Sequence, residues 1–119
     1  MPLVFVYGTL KRHGSNHRFL ERQRFVGQGR TEPAFRLYLL DGYPGMVATP
    51  EHGLSIEGEI WEVNAACLAS LDKLEDTVSD LYARVPIRLL PPNETLAVET
   101  YLYQRDITGR LELGTQFTG

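Results

Sequence analysis

The sequence predicts an α+β fold: a small mixed β-barrel of about six or seven strands carrying two or so helices. Three observations lead there. Segments with strand character dominate the chain. The helical segments are too few and too short for repeated βαβ units, so a closed or half-closed barrel with helices packed on it is the natural solution. At 119 residues the chain suits one domain, 1–119, with one core.

The elements follow in order. Residues 3–7 are rich in β-formers and read as a buried strand that runs into Gly8 and Thr9, a tight loop with main-chain amides at its tip. Ser15 or Asn16 caps a short helix reaching about Glu21. Segments 25–30 and 34–40 look extended, with Phe35, Leu37 and Leu39 alternating against Arg36 and Tyr38. Asp41-Gly42-Tyr43-Pro44-Gly45 is dense in turn residues, Met46–Ala48 is a short strand, and 49–53 is another turn.

Ser55–Val63 alternates as a strand, with Ile56, Gly58 and Ile60 on one face and Glu57, Glu59, Trp61 and Val63 on the other; Gly58 in its interior implies a bulge or a close approach. Asn64 caps a helix from Ala65 to about Asp76. Tyr82–Leu90 is a strand in which Pro86 implies an edge or a bulge. Pro91-Pro92-Asn93 breaks the chain, Leu96–Gln104 is the last long strand, and a turn at 106–109 leads into Leu111–Leu113.

Composition excludes several classes of function. The net charge of −3 argues against a generic binder of nucleic acid or anionic membranes. No segment approaches the roughly 20 apolar residues of a membrane span, and no signal peptide is expected, since the apolar run 3–7 is too short and no basic residue precedes it. One cysteine, Cys67, permits no internal disulfide and fits a reducing cytoplasm. His13, His17 and His52 lack metal-ligand spacing, so neither a metal nor another cofactor is expected. Nothing in the sequence sets an oligomeric state.

The most unusual polar placement is Glu75. At ~100° per residue it projects between Leu68 and Leu71 on the apolar side of its helix, with Asp72 at the border. A carboxylate inside an apolar stripe is desolvated, which raises its pKa and makes it a better base. Two plainer readings stand beside this one: Glu75 turns into solvent at the helix end, or it pairs with Arg84 or Arg88. Cys67, in the first turn of the same helix, is a nucleophile only if the helix dipole lowers its pKa; a packing role is the simpler reading. The loop Tyr7–Lys11 has neither P-loop nor dinucleotide spacing. Lys11-Arg12 reads as solvated surface. Tyr82, Tyr101 and Tyr103 fall on strands, and Tyr82 begins its strand directly after the Glu75 loop.

Several of these segments, in this order, resemble the γ-glutamylcyclotransferase family, and most closely its γ-glutamylamine cyclotransferase branch and small bacterial relatives. They are Val4–Arg12 with Asn16-His17-Arg18, Tyr43-Pro44-Gly45, Ile56–Trp61, Leu71–Glu75, Leu81–Arg84 and Tyr101-Leu102-Tyr103. The resemblance implies a small mixed barrel in which Tyr7, Gly8, Thr9 and Leu10 bind the α-carboxylate of a small-molecule γ-glutamyl substrate through backbone amides. It implies Glu75 as general base, with Tyr82 orienting that carboxylate or contacting substrate. The reaction implied releases 5-oxoproline and a free amine from a γ-glutamylamine. Rival readings are action on γ-glutamyl dipeptides, glutathione or other γ-glutamyl metabolites, and a non-catalytic binding module on the same fold. Asp76–Asp80 departs from the branch and is expected to shape the leaving-group side.

Overall fold

The computed structural model describes residues 1–118. Its strands are β1 (Leu3–Val6), β2 (Arg24–Arg30), β3 (Phe35–Leu39), β4 (Pro44–Ala48), β5 (Glu57–Glu62), β6 (Tyr82–Ile87), β7 (Val98–Tyr103) and β8 (Leu111–Gly114). One α-helix, α1 (Ala65–Leu74), and two single 3-10 turns, His17–Leu20 and Thr77–Ser79, complete it. The expected class holds, with eight strands in one sheet because both short segments, β4 and β8, pair. The helix expected up to Glu21 is only a 3-10 turn, and the Asn16 side chain gives it no cap bond.

The sheet is mixed, in the order β2-β5-β1-β7-β4-β3-β8, with β6 on β7. β1 and β4 both run parallel to β7: β1 meets its start (Leu3 opposite Val98) and β4 its end (Met46 opposite Leu102). Between those two contacts the ladder along that edge of β7 parts. On the far side the sheet curls until the end of β2 reaches the chain after β6, where Leu90 N–H donates to Arg30 O at 2.8 Å and Glu32 N–H to Arg88 O at 3.1 Å. Strands β1, β5, β2, β6 and β7 thereby form a small barrel, and β3, β4 and β8 extend from it.

Both faces of β1 are buried, which explains its unbroken apolar run. Phe5 packs with Ile56, Ile60, Leu89 and Val98 in one core, while Val4 and Val6 pack with Trp61, Val63, Cys67 and Leu71 beneath α1 in the other. Burial of this kind contributes roughly 1.5–3 kcal/mol per large side chain. Gly58 marks a close approach: a Cβ there would lie 2.5 Å from Val6 O and 2.6 Å from the Phe5 ring. The bulge lies opposite, in β2, where the register slips between Phe25 and Gly27. Pro86 sits in β6, which pairs only with β7, so the missing N–H faces no neighbouring strand.

Candidate active site

The loop after β1, the turn before β4, the end of α1 and the strands β6 and β7 enclose a cavity of about 360 Å³. That is enough for a metabolite-sized ligand. Its wall brings together the residues expected from sequence: Tyr7, Gly8, Thr9, Leu10, Glu75 and Tyr82. It also contains Tyr43, Pro44 and Tyr101, which sequence reasoning did not place in a site. Glu75 is the only charged side chain among the described lining residues.

Glu75 owes its place to how α1 ends. Asn64 caps the start, its Oδ1 accepting from Cys67 N–H at 2.7 Å. Leu71 and Cys67 then anchor the apolar face. The helix stops because Asp76 turns left-handed at φ 53°, with Glu75 N–H still bonded to Leu71 O at 2.9 Å. The residue that falls in the apolar stripe is thus also the last of the helical ladder, half-buried at the cavity wall. Desolvation pushes its carboxyl up to about 7. The negative end of the helix dipole disfavours the charge in the same sense.

Among the described residues the Glu75 carboxylate has no hydrogen bond and no ion pair. Arg84, a partner weighed on sequence grounds, is occupied elsewhere: its guanidinium pairs with Asp72 and with Glu99, each at 3.0 Å. Asp72, one turn before Glu75, also accepts from the Tyr101 hydroxyl at 2.7 Å, which ties the last turns of α1 to β7.

The tyrosine hydroxyls are committed to structure. Tyr7 donates to Tyr101 O at 2.6 Å and accepts from Met46 N–H at 3.1 Å, which makes it a side-chain rung across the parting between β1 and β4. Tyr82 donates to Pro44 O at 2.9 Å, leaving its lone pairs toward other donors; it makes no hydrogen bond to Glu75. Burial, together with the nearby Glu75 charge, pushes the hydroxyl pKa of Tyr7 and of Tyr82 upward, so both stay protonated.

The loop after β1 supplies another part of the wall. Its internal hydrogen bonds use the N–H groups of Lys11, Gly14, Asn16 and His17, and leave out those of Gly8, Thr9 and Leu10. Gly8 is required by proximity, since a Cβ would lie 2.7 Å from Pro44 Cγ. The cavity wall thus combines a loop whose Gly8, Thr9 and Leu10 N–H groups lie outside its own backbone bonding with one unpaired carboxylate. An amino-acid head group presents the complementary pair, a carboxylate and an amine.

Cys67 packs, as the simpler reading has it: it is buried, its thiol 3.3 Å from Phe19 O, and burial pushes the thiol up. One sequence expectation is corrected. Asp76–Asp80 supplies no residue to the cavity wall, which passes from Glu75 to Leu81, so it does not shape the leaving-group side by direct contact. Among the described residues, no helix is long and apolar enough to cross a membrane.

Comparison with known proteins gives the family. The family described as Gamma-glutamyl cyclotransferase, AIG2-like matches residues 4–116. A Drosophila melanogaster protein named for gamma-glutamylcyclotransferase activity is 43% identical over 107 residues, covering 83% of this chain and 68% of that one. The Homo sapiens gamma-glutamylaminecyclotransferase is 34% identical over 123 residues, covering 88% and 79%. The crystal structure of an AIG2-like protein from Mus musculus superposes with a TM-score of 0.83 at 27% identity, covering 98% of this chain and 88% of that one. With nearly the whole sequence matched and the fold shared, this chain belongs to the gamma-glutamyl cyclotransferase, AIG2-like family.

Proposed function

We propose that the protein converts γ-glutamylamines into 5-oxoproline and a free amine, with Glu75 as general base. The observation that carries this reading is the unpaired Glu75 carboxylate, raised to about 7, in the wall of the cavity that Gly8, Thr9 and Leu10 also line. The amides take the substrate's α-carboxylate. The α-amine then lies toward Glu75, which removes its proton; the free α-amine has a pKa of roughly 8. The nitrogen attacks the γ-carbonyl carbon of the same molecule, closing a five-membered ring. The tetrahedral intermediate collapses as the bond to the leaving amine breaks; Glu75 returns its proton to that amine, the ring nitrogen gives up its second proton as well, and the amine departs as an ammonium ion. Nucleophile and electrophile belong to one molecule, so the protein's task is to hold the glutamyl chain folded. Tyr82 contacts the substrate through its free lone pairs.

The leaving group is read from the wall. Among the described lining residues none is Lys, Arg or His, so a second carboxylate, as an amino-acid or glutathione leaving group would carry, meets no cation there. An amine leaving group meets Leu74, Leu81, Tyr43 and Pro44 instead. The test is incubation with a panel of γ-glutamylamines, γ-glutamyl dipeptides and glutathione, following 5-oxoproline by NMR. Faster turnover of the γ-glutamylamines is expected. Preference for glutathione or dipeptides would overturn the substrate class, and ligand-induced shifts without product would overturn the catalytic reading.

A further inference from the structure

Glu59 is 7% exposed, an unusual place for a carboxylate, and it does not line the cavity. It stands on β5 opposite Val6, the last residue of β1. Its Oε1 accepts from Arg12 N–H at 2.9 Å and from the Trp61 indole at 3.1 Å, and its Oε2 accepts from Arg12 Nε at 3.1 Å. Burial disfavours this charge, but the Arg12 N–H, the indole and the guanidinium outweigh it and hold the carboxyl below its usual range. The Arg12 guanidinium lies 4.0 Å over the Phe25 ring, and Phe25 packs edge-on against Trp61.

These contacts meet the loop at its far end. Lys11 Nζ donates to Phe117 O at 2.6 Å. His17 Nδ1 sits 2.9 Å from Leu10 O, which fixes its ring proton on Nδ1, and its ring packs against Trp61 at 5.2 Å. Leu10, Lys11 and Arg12 are therefore held from three directions. The preceding Gly8–Leu10 amides inherit that rigidity while staying outside the loop's own bonding. A binding loop with its flank fixed spends less of its ligand's binding energy on ordering.

We propose that Glu59 is a positioning residue, which by gripping the Arg12 main chain and guanidinium holds Gly8–Leu10 in the conformation that receives the substrate's carboxylate. The inference rests on the function proposed above for the loop's ligand, but its effect on loop order does not. Such a residue acts on binding in ground and transition states alike, so its loss raises KM and spares kcat.

The experiment compares wild type with E59Q and R12M in the full chain, labelled with ¹⁵N. Hydrogen exchange at Gly14 and Asn16, whose N–H groups close the loop, is expected to speed about tenfold in E59Q, with Ala83 and Thr100 in β6 and β7 unchanged. KM for the γ-glutamylamine turned over best, and Kd for 5-oxoproline, are expected to rise about tenfold, with kcat falling less than twofold. Fluorescence of Trp61, the only tryptophan, is expected to shift in E59Q as the acceptor of its indole N–H changes from a carboxylate to a neutral amide oxygen. R12M keeps the main-chain bond and carries the test if E59Q does not fold, with exchange at Gly14 and Asn16 about threefold faster. Unchanged exchange at Gly14 and Asn16, or faster exchange everywhere including Ala83, overturns the proposal. If wild type neither binds 5-oxoproline nor forms it, the proposed function fails, and the exchange data alone decide the role of Glu59.

Discussion

Replacing Glu75 with glutamine is expected to remove turnover and, at the same time, to stabilise the protein by an amount that grows with pH. The carboxyl is displaced from 4.5 to about 7 by burial, so the folded state holds its proton more tightly than the unfolded chain does. Stability from this group is then full below about pH 4.5, declines as pH rises toward 7 and is flat above. At 1.36 kcal/mol per pH unit, the ionised form costs up to about 3 kcal/mol, and access of cavity water lowers that to roughly 2. Glutamine has nearly the same shape and cannot ionise. Urea unfolding at pH 4 and pH 8 is the assay. Wild type and Glu75→Gln are expected to agree within about 0.5 kcal/mol at pH 4 and to differ by roughly 2 kcal/mol at pH 8, with the variant more stable. Parallel stability curves would show that Glu75 is not desolvated and would remove the basis for its raised pKa. The same variant is expected to lose about 10²–10⁴-fold in kcat, the usual contribution of a positioned base.

Wild-type turnover is expected to rise with pH through about 7 and then level, because the ionised carboxyl is the competent base; a profile flat from pH 5 to 8 contradicts the assignment. Tyr7→Phe strips the rung between Tyr101 O and Met46 N–H, leaving two buried groups unpaired, and is expected to cost about 2–3 kcal/mol in urea unfolding; a loss below 0.5 kcal/mol would mean the parting closes without it. Gly8→Leu starts its side chain where Pro44 Cγ already lies 2.7 Å away, and is expected to weaken 5-oxoproline binding more than tenfold by calorimetry. Normal binding by that variant would take the loop out of the site.

Much of the frame was legible in the sequence because it rests on local rules. The apolar run of β1, the Asn64 cap and the lone proline of β6 each follow from one residue's own chemistry. Glu75 was legible because helical periodicity alone puts it among leucines, although its freedom from Arg84 depends on Asp72 and Glu99 holding that guanidinium, a contest settled by how α1, β6 and β7 pack together. The other half of the wall was hidden for the same reason. Tyr43 and Pro44 read only as turn chemistry, and nothing local says that this turn lands against Gly8 and Tyr82. The helix expected before Glu21 shrank to one 3-10 turn because its start is occupied: Asn16 N–H bonds back to Thr9 O at 2.9 Å and its amide side chain to Thr9 Oγ1 at 3.0 Å. Glu59 was assigned to the right face by alternation, but its partner Arg12 lies 47 residues away, beyond any pattern in the chain.

The parting between β1 and β4 gives the molecule a mechanical division. The barrel and the β3-β4-β8 extension are joined along that edge by the Met46–Leu102 pairing and the Tyr7 hydroxyl, and the cavity opens between them. Whatever fills it touches Gly8 and Glu75 on the barrel side and Tyr43 and Pro44 on the other. A ligand there is a rivet between two plates. Occupancy and cohesion of the two units become one quantity, so the filled protein resists prying apart in proportion to how tightly the cavity is held.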